Sequence, residues 1–337
     1  MKKLLLTLLI PLALCAQAPH KSPEQINKEL QAAEAEFARA KKLFNPWYTG
    51  PLVTPSATMV PPGMVMTQPY LFVNGNYQRF NSKRKAIDLP HNLYQVKGLS
   101  VFQIGLTNTS DFTITPSAAG QWENDQQGGG FGDLPITIGF LFLKQTLYVP
   151  QIKFTITETF PTGRYQHLSS NGLGLSGLGG GSYQTQFGVT FGKVILWNTL
   201  HPMNTRLFIG YNIATPVHVK GFNFQGGGFG TDGVVRQGNT FSADLGLELS
   251  INQPWVIALD LVYTAQNITK FHGNPGVDKE GKPAAVGGGY NDNFSLAPAI
   301  EYNFNDSLGI ITGVQFSVYG RNSLNFASGQ FSFYYFF

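Results

Sequence analysis

The chain has 337 residues, of which 12% are charged and 42% hydrophobic, with aromatics at 13% and a formal net charge of +4. A soluble domain carries about 25% charged residues, and the abundance of Gly (39), Phe (27) and Tyr (14) argues against both a helical bundle and disorder. No run of 18 apolar residues exists, so a helical membrane protein is excluded as well.

Residues 1–16 read as an export signal. Lys2 and Lys3 give a positive start, Leu4 to Leu14 an apolar stretch, and Leu14-Cys15-Ala16 a small-residue cleavage site. A lipid anchor on Cys15 is disfavoured because Leu14 stands where such signals want a small residue. Cleavage after Ala16 removes the one cysteine, and with it any disulfide or Cys-bound metal. Loss of the two lysines lowers the net charge from +4 to +2, which gives no electrostatic support for a nucleic-acid partner.

Residues 17–62 form a second segment. Ser22-Pro23-Glu24-Gln25 has the form of a capped helix start. Ile26, Leu30, Ala33, Phe37, Ala40 and Phe44 then recur at alternating spacings of four and three. The spacing predicts a helix over Pro23–Phe44, roughly 33 Å long at the usual rise. Pro51, Pro55, Pro61 and Pro62 make a stiff extended connector after it. Three roles stand open for the helix: a plug in a lumen, a periplasmic coiled coil joining several barrels, or a tether toward the cell wall. The small Ala33 and Ala40 weaken an independent coiled coil, which favours a periplasmic partner.

From residue 63 to 337 the period changes to two. In 241–252, Phe241, Ala243, Leu245, Leu247, Leu249 and Ile251 alternate with Ser, Asp, Gly, Glu, Ser and Asn. Twelve segments of this kind fall near 68–79, 93–106, 110–119, 132–145, 149–161, 183–197, 203–217, 240–252, 254–267, 292–304, 307–319 and 329–337. Short connections such as 107–109, 252–254 and 305–306 alternate with long ones near 81–92, 120–131, 162–182, 218–239 and 268–291. An outer-membrane barrel has that asymmetry, with short periplasmic turns and long external loops. Inside a bilayer every backbone group must pair within the protein, so a spanning sheet closes. The expectation is a twelve-stranded antiparallel outer-membrane β-barrel with a short N-terminal periplasmic helix, apolar outside against lipid and polar inside.

The terminal Phe331, Phe333, Tyr335 and Phe337 resemble the signature by which outer-membrane barrels are recognised by their assembly machinery. On the faces assigned inward lie Lys97, Lys153 and Arg206 on earlier strands and Asp244, Glu248, Asp260 and Glu301 on later ones. These are the candidate pore-lining residues. Either they set a transverse field that selects solutes, or they pair across the lumen. Glu158 and Lys193 fall on the apolar face. For Glu158 the outer interface or an inward-turning bulge would resolve the conflict, and for Lys193 snorkelling.

Signals of catalysis are weak. No nucleophile accompanies the carboxylates, there is no GxSxG elbow, and the six His show no ligand spacing. Gly172–Gly177 matches GxGxxG but precedes no helix, so no dinucleotide cofactor is expected. The Gly-rich pieces Gln127–Asp133 and Gln225–Gly230 read as flexible connectors, and Lys83-Arg84-Lys85 as a solvated loop tip.

Four features, Gly132-Asp133-Leu134, Phe160-Pro161-Thr162-Gly163, the Gly-rich stretch Gly172–Gly181 and the aromatic C-terminus, carry a resemblance to a known family. From about Gly130 to Phe337 the chain resembles the outer-membrane transporters named for the meta-pathway of phenol degradation. The resemblance implies a channel for small solutes, hydrophobic or aromatic ones among them, and transfers no defined binding residues. The competing class is a non-transporting surface barrel, an adhesin or structural protein using its Gly-rich loops.

Overall fold

The computed structural model describes residues 21–43, 47–169, 174–195 and 201–337. The expected export signal, residues 1–16, lies outside them, as do Phe44 at the expected helix end and Gly172.

Helix α1 spans Pro23–Leu43. Its start is a reciprocal capping box: the Ser22 N–H donates to Gln25 Oε1 at 3.0 Å and the Gln25 N–H to Ser22 Oγ at 3.2 Å. Ile26 and Leu30 of its apolar seam are exposed.

Strands β1 (Val65–Phe80), β2 (Ala86–Thr107), β3 (Ser110–Ile114), β4 (Ser117–Glu123), β5 (Gln126–Phe131), β6 (Leu134–Leu143), β7 (Gln151–Phe160), β8 (Gln184–Ile195) and β9 (Met203–Ala214) follow. After β10 (Val217–Lys220) and β11 (Asp232–Arg236) come β12 (Thr240–Ser250), β13 (Trp255–Gln266), β14 (Lys270–Asn274), β15 (Asn291–Asn303), β16 (Leu308–Arg321) and β17 (Leu324–Phe336). β3 and β4 form one stave interrupted before Pro116, and β5 and β6 another interrupted at Gly132-Asp133, since both halves of the first pair with β2. Counted this way the barrel has twelve antiparallel staves. It closes where β17 meets β1, with Leu71 opposite Phe331 and Thr67 opposite Tyr335.

The faces are inverted relative to a soluble sheet. Leu71, Val73, Ile209, Ile257, Phe331 and Phe333 stand exposed on the outside, while Asp244, Glu248, Asp260, Glu301 and Ser332 are buried inside. An apolar belt outside and a polar bore inside are what a hydrocarbon surround demands.

Two of the five expected long loops are instead extended hairpins. The stretch near 120–131 is β4 and β5 joined by Asn124-Asp125, both at positive φ (46° and 61°). Paired positive φ is the signature of a turn that matches strand twist, and Asn with Asp tolerates it without glycine. Residues 86–92 likewise belong to β2, leaving a turn over 81–85 between it and β1. Here Arg84 is no solvated tip: its guanidinium holds Asp292 with two bonds of 2.5 and 2.6 Å and lies 4.6 Å from the Tyr319 ring centroid.

The remaining long loops are built, not slack. β10, β11 and β14 form a separate three-stranded sheet at the outer end. Val217, Val219 and Val235 make its small core, with Tyr165, Phe271 and Val286 packed against them.

Candidate functional site

The connector after α1 runs inside the barrel. Pro51, Pro55, Pro61 and Pro62 keep it extended, so it forms no backbone ladder of its own and its buried N–H groups need acceptors from the wall. The inward carboxylates supply them. The Thr49 N–H donates to Glu301 Oε2 at 2.8 Å and the Gly50 N–H to Glu248 Oε1 at 3.1 Å. Those of Val53 and Thr54 donate to Asp260 Oδ2 and Oδ1, both at 3.1 Å. Three consecutive staves, β12, β13 and β15, thus hold one strap by its backbone.

Packing completes the seat. Leu52 is buried against Ala258, Ala297 and Ile311. Glycines clear the wall where the strap approaches it: a Cβ at Gly246 would stand 2.7 Å from Pro51 Cγ, and one at Gly313 2.7 Å from Leu52 Cδ1. Gly50 itself needs φ +104° and sits under the Arg206 guanidinium. Towards the barrel end the Gln151 side-chain amide donates to the Ala57 carbonyl, and the Gly63 N–H to the Gly105 carbonyl at 3.0 Å.

The seven candidate residues divide into three groups. Glu248, Asp260 and Glu301 grip the strap. Lys153 pairs with Asp111 at 2.6 Å, and Arg206 with Glu248 at 3.0 Å; these contacts link neighbouring arcs, the arrangement expected where an unpaired buried charge is costly. Lys97 and Asp244 make no ion pair among the described residues; Asp244 Oδ1 is buried without a partner. Lys97 lines an outer cavity of about 500 Å³ with Asn74, Asn76, Gln95 and Phe326.

A second cavity, of about 490 Å³, lies beside the strap. One wall is Thr49–Ser56; the facing wall carries Tyr70, Phe72 and Leu99 of β1 and β2. Tyr70 and Phe72 stack at 5.7 Å between centroids. This apolar inner wall was hidden from an alternation argument because Tyr70-Leu71-Phe72-Val73 is apolar on both faces, the one local signal that could have revealed it.

The motifs flagged in sequence meet at one carboxylate. Asp133 accepts the Gly163 N–H through Oδ1 at 2.9 Å and the Gly180 N–H through Oδ2 at 2.7 Å, and the Thr162 hydroxyl donates to the Gly132 carbonyl. Asp133 therefore ties the loop after β7 to the outer rim. Gly128 and Gly129 are strand residues whose missing Cβ lets neighbouring backbone approach, not a flexible connector. Glu158 stays on the outer face two residues from the end of β7, and the Thr185 hydroxyl donates to it at 2.6 Å. Phe331, Phe333, Tyr335 and Phe337 all stand exposed on the outer face, and Phe337 exchanges backbone hydrogen bonds with Val65 at 2.8 and 2.9 Å. Among the described residues no group of His, Cys, Asp or Glu has metal-binding geometry.

Neither a protein-family model nor a curated protein sequence matches the chain. Solved structures do. An outer-membrane channel from Pseudomonas putida F1 superposes with a TM-score of 0.64 at 12% identity, covering 85% of this chain and 100% of that one. The translocator domain of the autotransporter NalP from Neisseria meningitidis scores 0.42 at 10% identity, over 93% and 97% of the two chains. A deletion mutant of the TodX monoaromatic hydrocarbon channel scores 0.39 at 12% identity, over 82% and 91%. The last two are too loose to carry an argument. The first, with the closed sheet and inverted faces, shows the fold: the chain is a twelve-stranded β-barrel of the bacterial outer membrane.

Proposed function

We propose that the barrel is a channel for passive passage of small solutes, hydrophobic and aromatic ones among them, through the part of the bore that the strap leaves. The cavity faced by Tyr70, Phe72 and Leu99 carries this reading. A bore used only as a scaffold would gain by filling that space with packed side chains, because voids cost stability. The resemblance to the transporters named for phenol degradation supports the same substrate class, and the reading requires no cofactor and no enzymatic step.

Recording from the purified protein in planar bilayers, with and without residues 47–62, tests the proposal. Stable solute-sensitive conductance that grows on removing the strap supports it. A barrel closed in both forms would favour the competing reading, a non-transporting surface barrel, for which the ordered outer sheet of β10, β11 and β14 is the motivating feature. In either case lipids meet the outer belt. We further propose that the exposed Ile26 and Leu30 face of α1 meets a periplasmic partner, and that Phe331, Phe333, Tyr335 and Phe337 meet the assembly machinery.

A further inference from the structure

The cavity beside the strap has an unbalanced set of polar groups. Among the charged residues lining it are Lys153 and Arg206 and no carboxylate. Their partners Asp111 and Glu248 do not line it and are 1% and 0% exposed. Each ion pair engages the cation through one nitrogen, Nζ of Lys153 and Nη2 of Arg206. An ammonium has three N–H donors and a guanidinium five, so one carboxylate does not exhaust either.

A third donor faces the same space. Gln68 lines the cavity, is only 8% exposed, and its Nε2 is buried without a hydrogen-bond partner. Orphaned buried amides are rare because the hydrogen bonds lost to water are not replaced. Donor groups that line a concave, half-apolar space are the chemistry that recognises an anionic oxygen on a hydrocarbon body. Tyr70, Phe72 and Phe208 supply flat apolar surface for that body.

We propose that this cavity is a binding site for a small monocarboxylate with a ring-sized apolar body, its carboxylate held by Gln68, Lys153 and Arg206. The proposal rests on the channel reading above and narrows it from hydrophobic solutes in general to organic anions. The carboxylates of the lumen do not line this cavity: Glu248, Asp260 and Glu301 are engaged by the strap, and Asp111 by Lys153 and Gln103.

The test compares three probes of one shape, benzoate, benzylamine and benzyl alcohol, entering proteoliposomes that contain the full chain. Benzoate entry should saturate with concentration and exceed benzylamine entry at least fivefold. Gln68→Leu removes the orphan donor without leaving a new one, so it should fold, which its band shift on unheated gels checks. This variant should lower the ratio of benzoate to benzyl alcohol entry severalfold. Saturation-transfer NMR on detergent-solubilised protein gives a second readout, with benzoate ring signals that weaken in Gln68→Leu. Entry of benzylamine at the benzoate rate, or an unchanged ratio in Gln68→Leu, overturns the site while leaving the channel standing. If none of the three probes enters and no ion conductance appears, the channel reading falls and the site with it.

Discussion

Asp260 Oδ1 accepts two hydrogen bonds from a single residue, the Thr54 N–H at 3.1 Å and the Thr54 hydroxyl at 2.5 Å. Its other oxygen takes the Val53 N–H. One carboxylate therefore closes the central grip on the strap. Hydrogen bonds to a charged group contribute about 1.5–3 kcal/mol each. Asp260→Asn keeps one acceptor oxygen and turns the other into a donor facing an N–H, which should cost the seated strap about 2 kcal/mol. That is about 30-fold in the ratio of seated to released strap. Single-channel traces should show more frequent large openings, and traces indistinguishable from the parent would refute the anchoring role.

Removing the strap should also change what the lumen prefers. With residues 47–62 gone, Glu301 and Asp260 lose their N–H partners, and Asp244 already has none on Oδ1. Arg206 can pair with only some of these acids. The open bore should become cation-preferring, as rings of carboxylates make other pores. Reversal potentials in a KCl gradient check this; a deletion variant that stays anion-preferring or unselective contradicts it. In the intact protein Glu248 and Asp260 act as anchors, so neutralising Asp244, Glu248 and Asp260 together should loosen the strap before it alters selectivity.

The twelve staves were legible because alternation with period two survives wherever one face meets lipid and the other water, as in β12, where Leu245, Leu247 and Leu249 face opposite to Asp244 and Glu248. The strap was not legible. A Pro-rich extended segment reads the same in the periplasm and in a lumen, and the acceptors for Val53 and Thr54 lie 207 and 206 residues away in sequence. Only closure of the sheet brings them together. The seven candidate charges could be assigned to the bore from parity alone, but parity says nothing of partners, and Asp111 of the Lys153 pair sits on a stave two removed from β7. Gln68 carried no sequence signal, since an inward glutamine looks the same whether or not its amide is satisfied.

Asp133 offers a test confined to the outer rim. Asp133→Ala leaves the Gly163 and Gly180 N–H groups without acceptors. The site is half-buried, so water can replace part of what is lost, and the local cost should be about 2 kcal/mol. Loop 161–183 should become protease-sensitive while the barrel keeps its heat resistance, because the stave ladder does not pass through Asp133. Unchanged cleavage would mean that the shared motifs serve something other than this tie.

The inverted faces make a charge on the outer surface far more costly here than on a sheet that faces water. Ile209 lies midway along β9, opposite Val189 and Ala243, and is 41% exposed on the outer face. On a water-facing sheet, replacing a half-exposed Ile by Arg would change stability by no more than about 0.5 kcal/mol. Facing hydrocarbon near mid-depth, Ile209→Arg should cost about 2–4 kcal/mol, with the penalty falling towards the interfaces. Val65→Arg or Tyr335→Arg at the barrel end should accordingly cost far less, since Val65 and Tyr335 sit in the terminal pairs of their strands. Urea unfolding of the protein refolded into lipid vesicles measures both. A flat profile across these three positions would mean that the outer face is not in contact with acyl chains.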